Sequence, residues 1–88
     1  MDRKANFKVG DHVQIREWFD MENEFGVNGG GDIPCSYIFT SDMRKYCGAK
    51  AIIVDMSPRN DIGVSFILKG KIGLSEWTWS ADMIRHVH

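Results

Sequence analysis

The first stretch of chain in which apolar and polar side chains alternate begins at Phe7 and ends at Trp18. Its sequence is FKVGDHVQIREW, with apolar residues at odd positions and a Gly-Asp pair in between. Successive side chains of a strand leave on opposite faces, so this pattern predicts a half-buried strand. The polar side chains should face out, and the residues expected to point inward are Phe7, Val9, Val13 and Ile15.

The second half of the chain carries a denser series of short strand patterns. Residues 49–56 are rich in β-branched side chains and apolar on both faces, which favours a central strand. After a Pro/Asn/Gly turn over 57–63, residues 64–69 form the returning strand of a hairpin. In that strand Val64, Phe66 and Leu68 are expected to point inward, and Ser65 and Lys69 outward. The remaining predicted elements are a turn, a strand, a helical turn capped by Ser80 and a final strand, at residues 70–73, 76–79, 80–83 and 84–88.

Two helix-compatible segments and one glycine-rich loop lie between these strands. Residues 19–26 (FDMENEFG) are too few to form a stable helix without tertiary contacts. In residues 39–48, Thr40 or Ser41 can cap a short helix that ends at Gly48. The consecutive glycines of residues 26–34 allow many backbone paths, so a mobile loop is expected there.

Together these elements predict a mainly β protein that forms a single domain over residues 1–88. A chain of 88 residues fits one domain, and no shift in composition divides it. About five short strands with tight turns and one or two short helical turns favour a small SH3-like antiparallel barrel, because closure removes open sheet edges. An OB-fold is the alternative, but it calls for a longer first hairpin and a helix where this chain has only GKIG (70–73).

The charge balance of the chain narrows the classes of partner that the protein is expected to bind. With 11 basic and 12 acidic residues, the formal net charge is −1. A general nucleic-acid binder is expected to be basic, so nucleic acid becomes an unlikely class of partner. The sequence does not exclude a local basic patch, since it has two small basic clusters, one of Arg3, Lys4 and Lys8 and one of Arg44 and Lys45.

Cysteine and histidine spacing gives no support for a metal or disulfide framework. Cys35 and Cys47 lack the Cys-x-x-Cys arrangement of a zinc site, and a disulfide between them is unsupported by the sequence. The C-terminal RHVH contains His86 and His88, but a site there would need further ligands. No metal and no cofactor are therefore expected.

The distribution of apolar residues gives no sign of export or membrane insertion. The chain has neither an apolar leader segment nor a run long enough to span a bilayer. A cytoplasmic location with reduced cysteines and no membrane partner is the expectation.

The sequence also lacks a recognisable catalytic set. Cys47 stands at a helix C-terminal end, which is the wrong end of the dipole to stabilise a thiolate. Asp11 follows Gly10 at a strand entrance, where a carboxylate accepts backbone N–H bonds in the turn. The GGGD segment has no strand–lysine–helix context of a phosphate-binding loop. We therefore expect a protein without enzymatic activity.

The aromatic residues are the strongest candidates for a binding site. They are numerous for one small core, so several are expected to be exposed beside the acidic residues at 17–24, as in grooves that bind extended or basic peptides. Trp77 and Trp79 should share a strand face, with Trp77 filling the interior. Trp79 either borders the groove or caps one end of the barrel against the helix of residues 41–47, and the sequence does not decide which tryptophan is exposed. The candidate binding residues are Trp18, Phe19, Tyr37, Phe39, Tyr46 and Trp79.

The order of these motifs resembles the SH3-like repeat domain of the Mind bomb type. The resemblance runs through VGDHVQI, MRKYCGAKAIIVDM, VSFIL and WTWSADMI, and covers nearly the whole chain except the glycine-rich segment. It implies an SH3-like fold and a barrel that binds an extended peptide, whereas ubiquitin transfer is not implied. The pattern is also similar to that of small stand-alone bacterial and phage proteins, which implies such a source.

These observations leave three functions open. A non-enzymatic module that binds a protein or peptide through an aromatic groove agrees best with the small size, near-neutral charge and surplus of aromatic residues. Single-stranded nucleic-acid binding is the alternative, with stacked aromatic rings and with Arg44 and Lys45 on phosphates. A structural or assembly protein is the third, and the sequence leaves the oligomeric state open.

Overall fold

A five-stranded antiparallel sheet forms the centre of the protein in the computed structural model, which describes residues 7–59 and 63–87. The strand order is β6-β5-β4-β1-β7. Within the described residues no ladder joins β6 to β7, so the sheet is open and the domain is mainly β with a few helical turns. The strands are β1 (His12–Ile15), β4 (Lys50–Arg59), β5 (Gly63–Gly70), β6 (Trp79–Ser80) and β7 (Ile84–His86).

The hairpin of β4 and β5 is the longest paired region and lies at the centre of the sheet, as predicted. Its inner face carries the buried side chains of Ile53, Phe66 and Leu68. The ladder shifts register between Ile53 and Asp55, which is the mark of a β-bulge. Residues 60–62, the centre of the predicted turn, lie outside the described residues.

Ser65 differs from its expected outward position. It is buried because β6 pairs alongside it, with Ser65 opposite Ser80. Its hydroxyl donates to the backbone carbonyl of Ser57 at 3.3 Å, which satisfies the buried group.

The first strand is shorter than the alternating pattern suggested. Gly10 has a φ of 96°, and the Asp11 carboxylate accepts the backbone N–H of Lys8 at 3.0 Å, so the Gly-Asp pair forms a turn. The predicted role of Asp11 is confirmed. The turn takes Val9 out of the strand and leaves it 55% exposed, so the prediction that Val9 points inward is wrong.

A long connection between β1 and β4 contains the helix α1 (Trp18–Phe25) and a small two-stranded sheet of β2 (Ile33–Pro34) and β3 (Ile38–Phe39). Helix α1 forms where a tertiary-supported helix was predicted. It buries Trp18 and Met21 and leaves Phe19 exposed.

The glycine-rich segment before β2 forms a hydrogen-bonded turn. The side-chain oxygen of Asn28 accepts the backbone N–H groups of Gly30 and Asp32 at 2.9 and 3.1 Å. Such an Asx-type turn restricts the backbone paths that consecutive glycines would otherwise allow. Its mobility stays a prediction.

The first 3₁₀ helix (Ser41–Tyr46) occupies the place of the predicted second helix. Gly48 follows it two residues later with a φ of 81°. The helix contributes Met43 and Tyr46 to the core. The Tyr46 hydroxyl lies against Gly73, where an added Cβ would meet it at 2.2 Å and where φ is 97°. Only glycine therefore fits position 73 in this packing.

The segment before β6 overturns two predictions. Residues Leu74–Glu76 form a second 3₁₀ helix, so β6 is confined to Trp79–Ser80 rather than residues 76–79. Because Trp79 pairs with the inward-facing Phe66, Trp79 is the buried tryptophan, with 0% exposure, and Trp77 is the half-buried one. The expected arrangement of the two indoles is therefore reversed.

A third 3₁₀ helix (Ala81–Met83) follows β6 and leads into β7, where the helical turn and the final strand were predicted. The predicted cap is wrong, because the Ser80 side chain makes no capping hydrogen bond and its hydroxyl binds the Asp82 carboxylate instead. The core packs on the inner face of the sheet beneath α1, β3 and the 3₁₀ helices. Its buried hydrophobic residues are Val13, Ile15, Trp18, Met21, Ile33, Phe39, Met43, Tyr46, Ala51, Ile53, Phe66, Leu68, Leu74, Trp79, Met83 and Ile84.

Candidate functional site

Most of the aromatic residues predicted to line a groove belong to the core instead. Phe39 packs between Trp18 and Trp79 with ring centroids 6.0 Å apart in each pair, and Tyr46 packs against Trp79 at the same distance. These offset and edge-on arrangements are the favourable ones for buried rings. The prediction that Trp79 borders a surface groove is wrong, and Phe39 and Tyr46 likewise offer a partner no free ring face. These large aromatic side chains fill the interior of the small domain.

One predicted residue, Phe19, stands out on the surface. Its side chain is 66% exposed on α1. The Arg44 guanidinium lies over both neighbouring rings, with its Cζ 4.9 Å from the Trp18 ring centroid and 5.6 Å from that of Phe19. We call Trp18, Phe19 and Arg44 the Phe19 patch. The ring–cation contacts hold Arg44 against the aromatic surface while Phe19 faces solvent.

Tyr37, the remaining predicted binding residue, lies in the connection between β2 and β3. It is half-buried, and its backbone N–H donates to the Ser80 hydroxyl at 3.4 Å. This contact ties the β2–β3 connection to the sheet edge at β6.

A second surface, which the sequence analysis missed, lies on the outer face of the sheet. A groove of about 220 Å³ crosses β1, β4 and β5. Ile52 stands at its middle, paired with His12 on one side and Lys69 on the other. The signal was available in the sequence as the outward positions of the alternating strands, but only the register shows which of them meet. The groove is lined by His12, Val13, Lys50, Ala51, Ile52, Lys69, Gly70 and Val87.

Two basic residues that are distant in sequence, Lys45 and Lys71, meet beside the Tyr46 ring. The Lys71 ammonium donates to the backbone carbonyl of Lys45 at 3.1 Å. Both lysine ammonium groups also lie over the Tyr46 ring, 5.4 and 5.9 Å from its centroid. Since Arg44 precedes Lys45, the basic cluster at 44–45 is extended by Lys71 from the turn after β5.

The acidic residues of α1 are arranged differently, because Arg16 binds two of them. Its guanidinium reaches Asp20 at 2.8 Å and Glu24 at 2.7 Å, and it also donates to the backbone carbonyl of Asp82 at 2.9 Å. The hydrogen bond from Arg16 lowers the pKa of the Asp20 carboxyl. This network fastens α1 to the third 3₁₀ helix and so positions the helix that carries the Phe19 patch.

A second polar network surrounds Asp82. Its carboxylate accepts both the backbone N–H and the hydroxyl of Ser36 at 2.9 Å, and it also binds the Ser80 hydroxyl. Each bond joins segments that are far apart in sequence or closes a turn. These polar side chains therefore serve to hold the fold together.

The titratable groups show little sign of activation for chemistry. Burial raises the pKa of the Cys35 thiol to about 12 and also raises that of Cys47, so both favour the protonated, poorly nucleophilic form. Both cysteines are free. Asp11 binds His86 through Oδ2 and Nε2 at 2.9 Å, and Phe7 packs on the imidazole with centroids 4.4 Å apart.

Within residues 7–59 and 63–87, no group of three or more His, Cys, Asp or Glu side chains is placed to hold a metal ion. His88, Arg3 and Lys4, which the sequence analysis singled out, lie outside the described residues. Of the helices described, none has the length and apolar character required to cross a bilayer.

Comparison with known proteins adds no relative to this description. No protein-family model, no curated protein and no solved structure matches the chain. The two exposed surfaces, the Phe19 patch and the groove of the outer sheet face, are therefore the observations that bear on function.

Proposed function

We propose that the protein is a non-enzymatic protein-interaction module that binds an extended segment of a partner at the Phe19 patch. The observation that carries this proposal is the 66% exposure of Phe19 next to a guanidinium held over two rings. A solvent-exposed phenyl ring on a rigid helix supplies a large apolar contact at a small cost in side-chain entropy.

The surroundings of Phe19 fit the role of a contact surface. Trp18 is the buried member of the patch, and Arg16 joins Asp20 and Glu24 of the helix to the third 3₁₀ helix, so the Phe19 ring is presented from a fixed support. Aromatic and arginine side chains are the residue types that contribute most often to binding energy in interfaces. An apolar side chain of the partner would cover the Phe19 ring, and Arg44 would donate to a carbonyl or carboxylate beside it.

An SH3-like barrel is the architecture that we propose for the scaffold. The strand order supports it, since the two edge strands β6 and β7 follow one another in sequence and only the third 3₁₀ helix separates them. Strong coiling of the sheet would bring these edges together. The Trp-bearing strand followed by a short turn is also the pattern that the Mind bomb-type resemblance implies.

Peptide selection tests the proposal directly. A displayed library of random peptides is selected on the wild-type protein, and the recovered sequences are synthesised and titrated against wild type, Phe19→Ala and Ile72→Ala. Ile72 is the matched control, because it is an apolar side chain that is 95% exposed and lies in the turn between β5 and the second 3₁₀ helix. Both variants should fold, since neither residue belongs to the core.

The expected result is a loss of affinity of about ten-fold or more for Phe19→Ala with no change for Ile72→Ala. Selected peptides that bind Phe19→Ala as tightly as wild type would refute the assignment of the patch, as would a selection that yields no binder. A labelled oligo-thymidine titrated in parallel at low salt tests the alternative. Tighter binding of that probe than of any peptide would favour single-stranded nucleic-acid recognition.

A further inference from the structure

Side chains from three neighbouring strands form a row across the outer face of the sheet. His12, Ile52 and Lys69 stand opposite one another on β1, β4 and β5 and leave the sheet on the same face. Lys50, two positions before Ile52, is on that face as well. Val87 borders the same groove, and its backbone N–H donates to the His12 carbonyl at 3.1 Å. The groove thus has an aliphatic centre with ammonium groups along it.

The two lysines of the groove have no acidic partner within the described residues. Both are exposed, and neither takes part in an ion pair or hydrogen bond of its ammonium group within the described part of the chain. Arg16, by contrast, has its charge balanced by Asp20 and Glu24. Two like charges placed close together on a sheet repel each other slightly, so a ligand with negative charge would relieve a cost that the free protein carries.

The spacing of the lysines indicates the form of that ligand. Lys50 and Lys69 are diagonal neighbours across β4 and β5, because Lys69 pairs with Ile52. Diagonal neighbours of this kind lie about 7–8 Å apart. Residues i and i+2 of an extended peptide are separated by roughly 6.5–7 Å, at about 3.3 Å per residue. Two carboxylates in alternate positions of an extended chain therefore match the spacing of the two lysine positions on the sheet.

We propose that this groove is a second binding site, separate from the Phe19 patch, and that it takes an extended acidic peptide segment with carboxylates at alternate positions. Lys50 and Lys69 bind the carboxylates, and the aliphatic surface of Ile52 and Val87 packs against the apolar parts of the same segment. Charge complementarity at such a site raises the association rate and excludes basic partners.

A protein segment suits this groove better than a nucleic acid does. Proteins that bind single strands without sequence preference use aromatic side chains as stacking platforms for successive bases. The residues lining the groove include no Phe, Tyr or Trp, and its centre is the branched aliphatic side chain of Ile52. The net charge of −1 also gives no general attraction to phosphate backbones.

Fluorescence polarisation with synthetic probes tests the site. The probe is a short labelled peptide of alternating glutamate and valine, and the matched probes replace glutamate by glutamine or by lysine. A labelled oligo-thymidine of similar length is the nucleic-acid probe. The proteins compared are wild type, the double variant Lys50→Glu/Lys69→Glu, the double variant Lys8→Glu/Lys45→Glu and Phe19→Ala.

The glutamate probe should bind wild type, bind more weakly as salt is raised, and bind at least about ten-fold tighter than the glutamine and lysine probes. The Lys50→Glu/Lys69→Glu variant should lose this binding by about ten-fold or more. Phe19→Ala and Lys8→Glu/Lys45→Glu should change it by less than about three-fold, although the latter alters the net charge equally.

Three results would overturn the proposal. Equal losses in the two double variants would show a general charge effect and no groove. A loss in Phe19→Ala alone would move the acidic segment to the Phe19 patch and leave the first proposal standing. Tighter binding of oligo-thymidine than of the glutamate probe would make the ligand a nucleic acid. Circular dichroism of each variant establishes that these exposed substitutions leave the fold intact.

Discussion

The tryptophan pair gives the sharpest test of the packing. Trp79 is fully buried, lies against the rings of Phe39 and Tyr46, and donates its indole N–H to the Leu74 carbonyl at 3.1 Å. An indole buries about 200 Å² of mostly apolar surface, which corresponds to roughly 5 kcal/mol at about 25 cal/mol per Å². Allowing for partial relaxation, Trp79→Ala should reduce the free energy of unfolding by about 3–5 kcal/mol.

A loss of this size is comparable with the whole stability of a small domain, about 4–13 kcal/mol for a chain of this length. Trp79→Phe is therefore the more informative variant. It keeps a ring in the core but removes the indole N–H. The Leu74 carbonyl keeps a second donor, the backbone N–H of Trp77 at 3.2 Å, so the hydrogen-bond part of the loss should be near 1 kcal/mol.

Urea denaturation followed by far-ultraviolet circular dichroism measures both variants, with Trp77→Ala as the matched control. Trp77 is only half-buried, so its removal should cost clearly less than the removal of Trp79, about 1–2 kcal/mol. If Trp77→Ala proved the more destabilising of the two alanine variants, the inward position of Trp79 and the register of β6 would be wrong.

Three further predictions concern the polar and thiol groups. Arg16→Met should lower the unfolding free energy by about 1.5–3 kcal/mol, because the bonds to two carboxylates and a carbonyl are lost; an unchanged urea midpoint would contradict this. For Asp11, hydrogen bonds from His86 and the Lys8 backbone lower the carboxyl pKa below its ordinary value of 3.8, so its contribution to stability is present above that pH and lost as the pH falls through the folded-state value. The stability difference between wild type and Asp11→Asn should accordingly shrink on acidification, whereas a difference that grows would refute the sign. A pKa of about 12 for Cys35, against an ordinary 9.0, leaves on the order of a thousand-fold less thiolate, so Ellman's reagent should label the native protein far more slowly than the urea-unfolded chain.

The elements that the sequence predicted well are those in which periodicity and local turn chemistry agree. The central hairpin follows from the β-branched run at 49–56 and the alternation after Gly63, and Gly48 takes the left-handed position expected after the short helix. Helix α1 also forms where the pattern placed it, with tertiary burial of Trp18 and Met21 supplying the support that a short helix needs.

The predictions that failed depended on where a strand begins. Trp77 and Trp79 are two positions apart, so strand alternation alone assigns both side chains to the same face. However, the second 3₁₀ helix ends just before Trp77, and only Trp79 enters the ladder opposite Phe66. The prediction that Val9 points inward failed for the same reason, since the turn at Gly10 separates Val9 from β1. Local patterns do not report such boundaries reliably, because tertiary pairing decides them.

The candidate surfaces were predictable only in part. Phe19 was among the aromatic candidates, and Arg44 was identified as part of a basic cluster, but nothing in the sequence shows that the two meet. The groove combines residues from three strands, and its two lysines become neighbours only through the register of β4 with β5. Surfaces assembled across strands depend on long-range pairing, and composition and periodicity give no information about that pairing.

The position of β7 beside β1 has a consequence for how the domain folds. The Asp11–His86 bond joins residues 75 positions apart, and β7 is one of the two outer strands of the sheet. Contacts of such long sequence separation raise the relative contact order and slow folding, because a large loop must close before they form. During synthesis, the β4–β5 hairpin can pair as soon as it leaves the ribosome, whereas β1 keeps an unpaired edge until residues 84–86 have emerged. Completion of the sheet is therefore a late event, and a nascent chain stalled before residue 84 should expose that edge to aggregation.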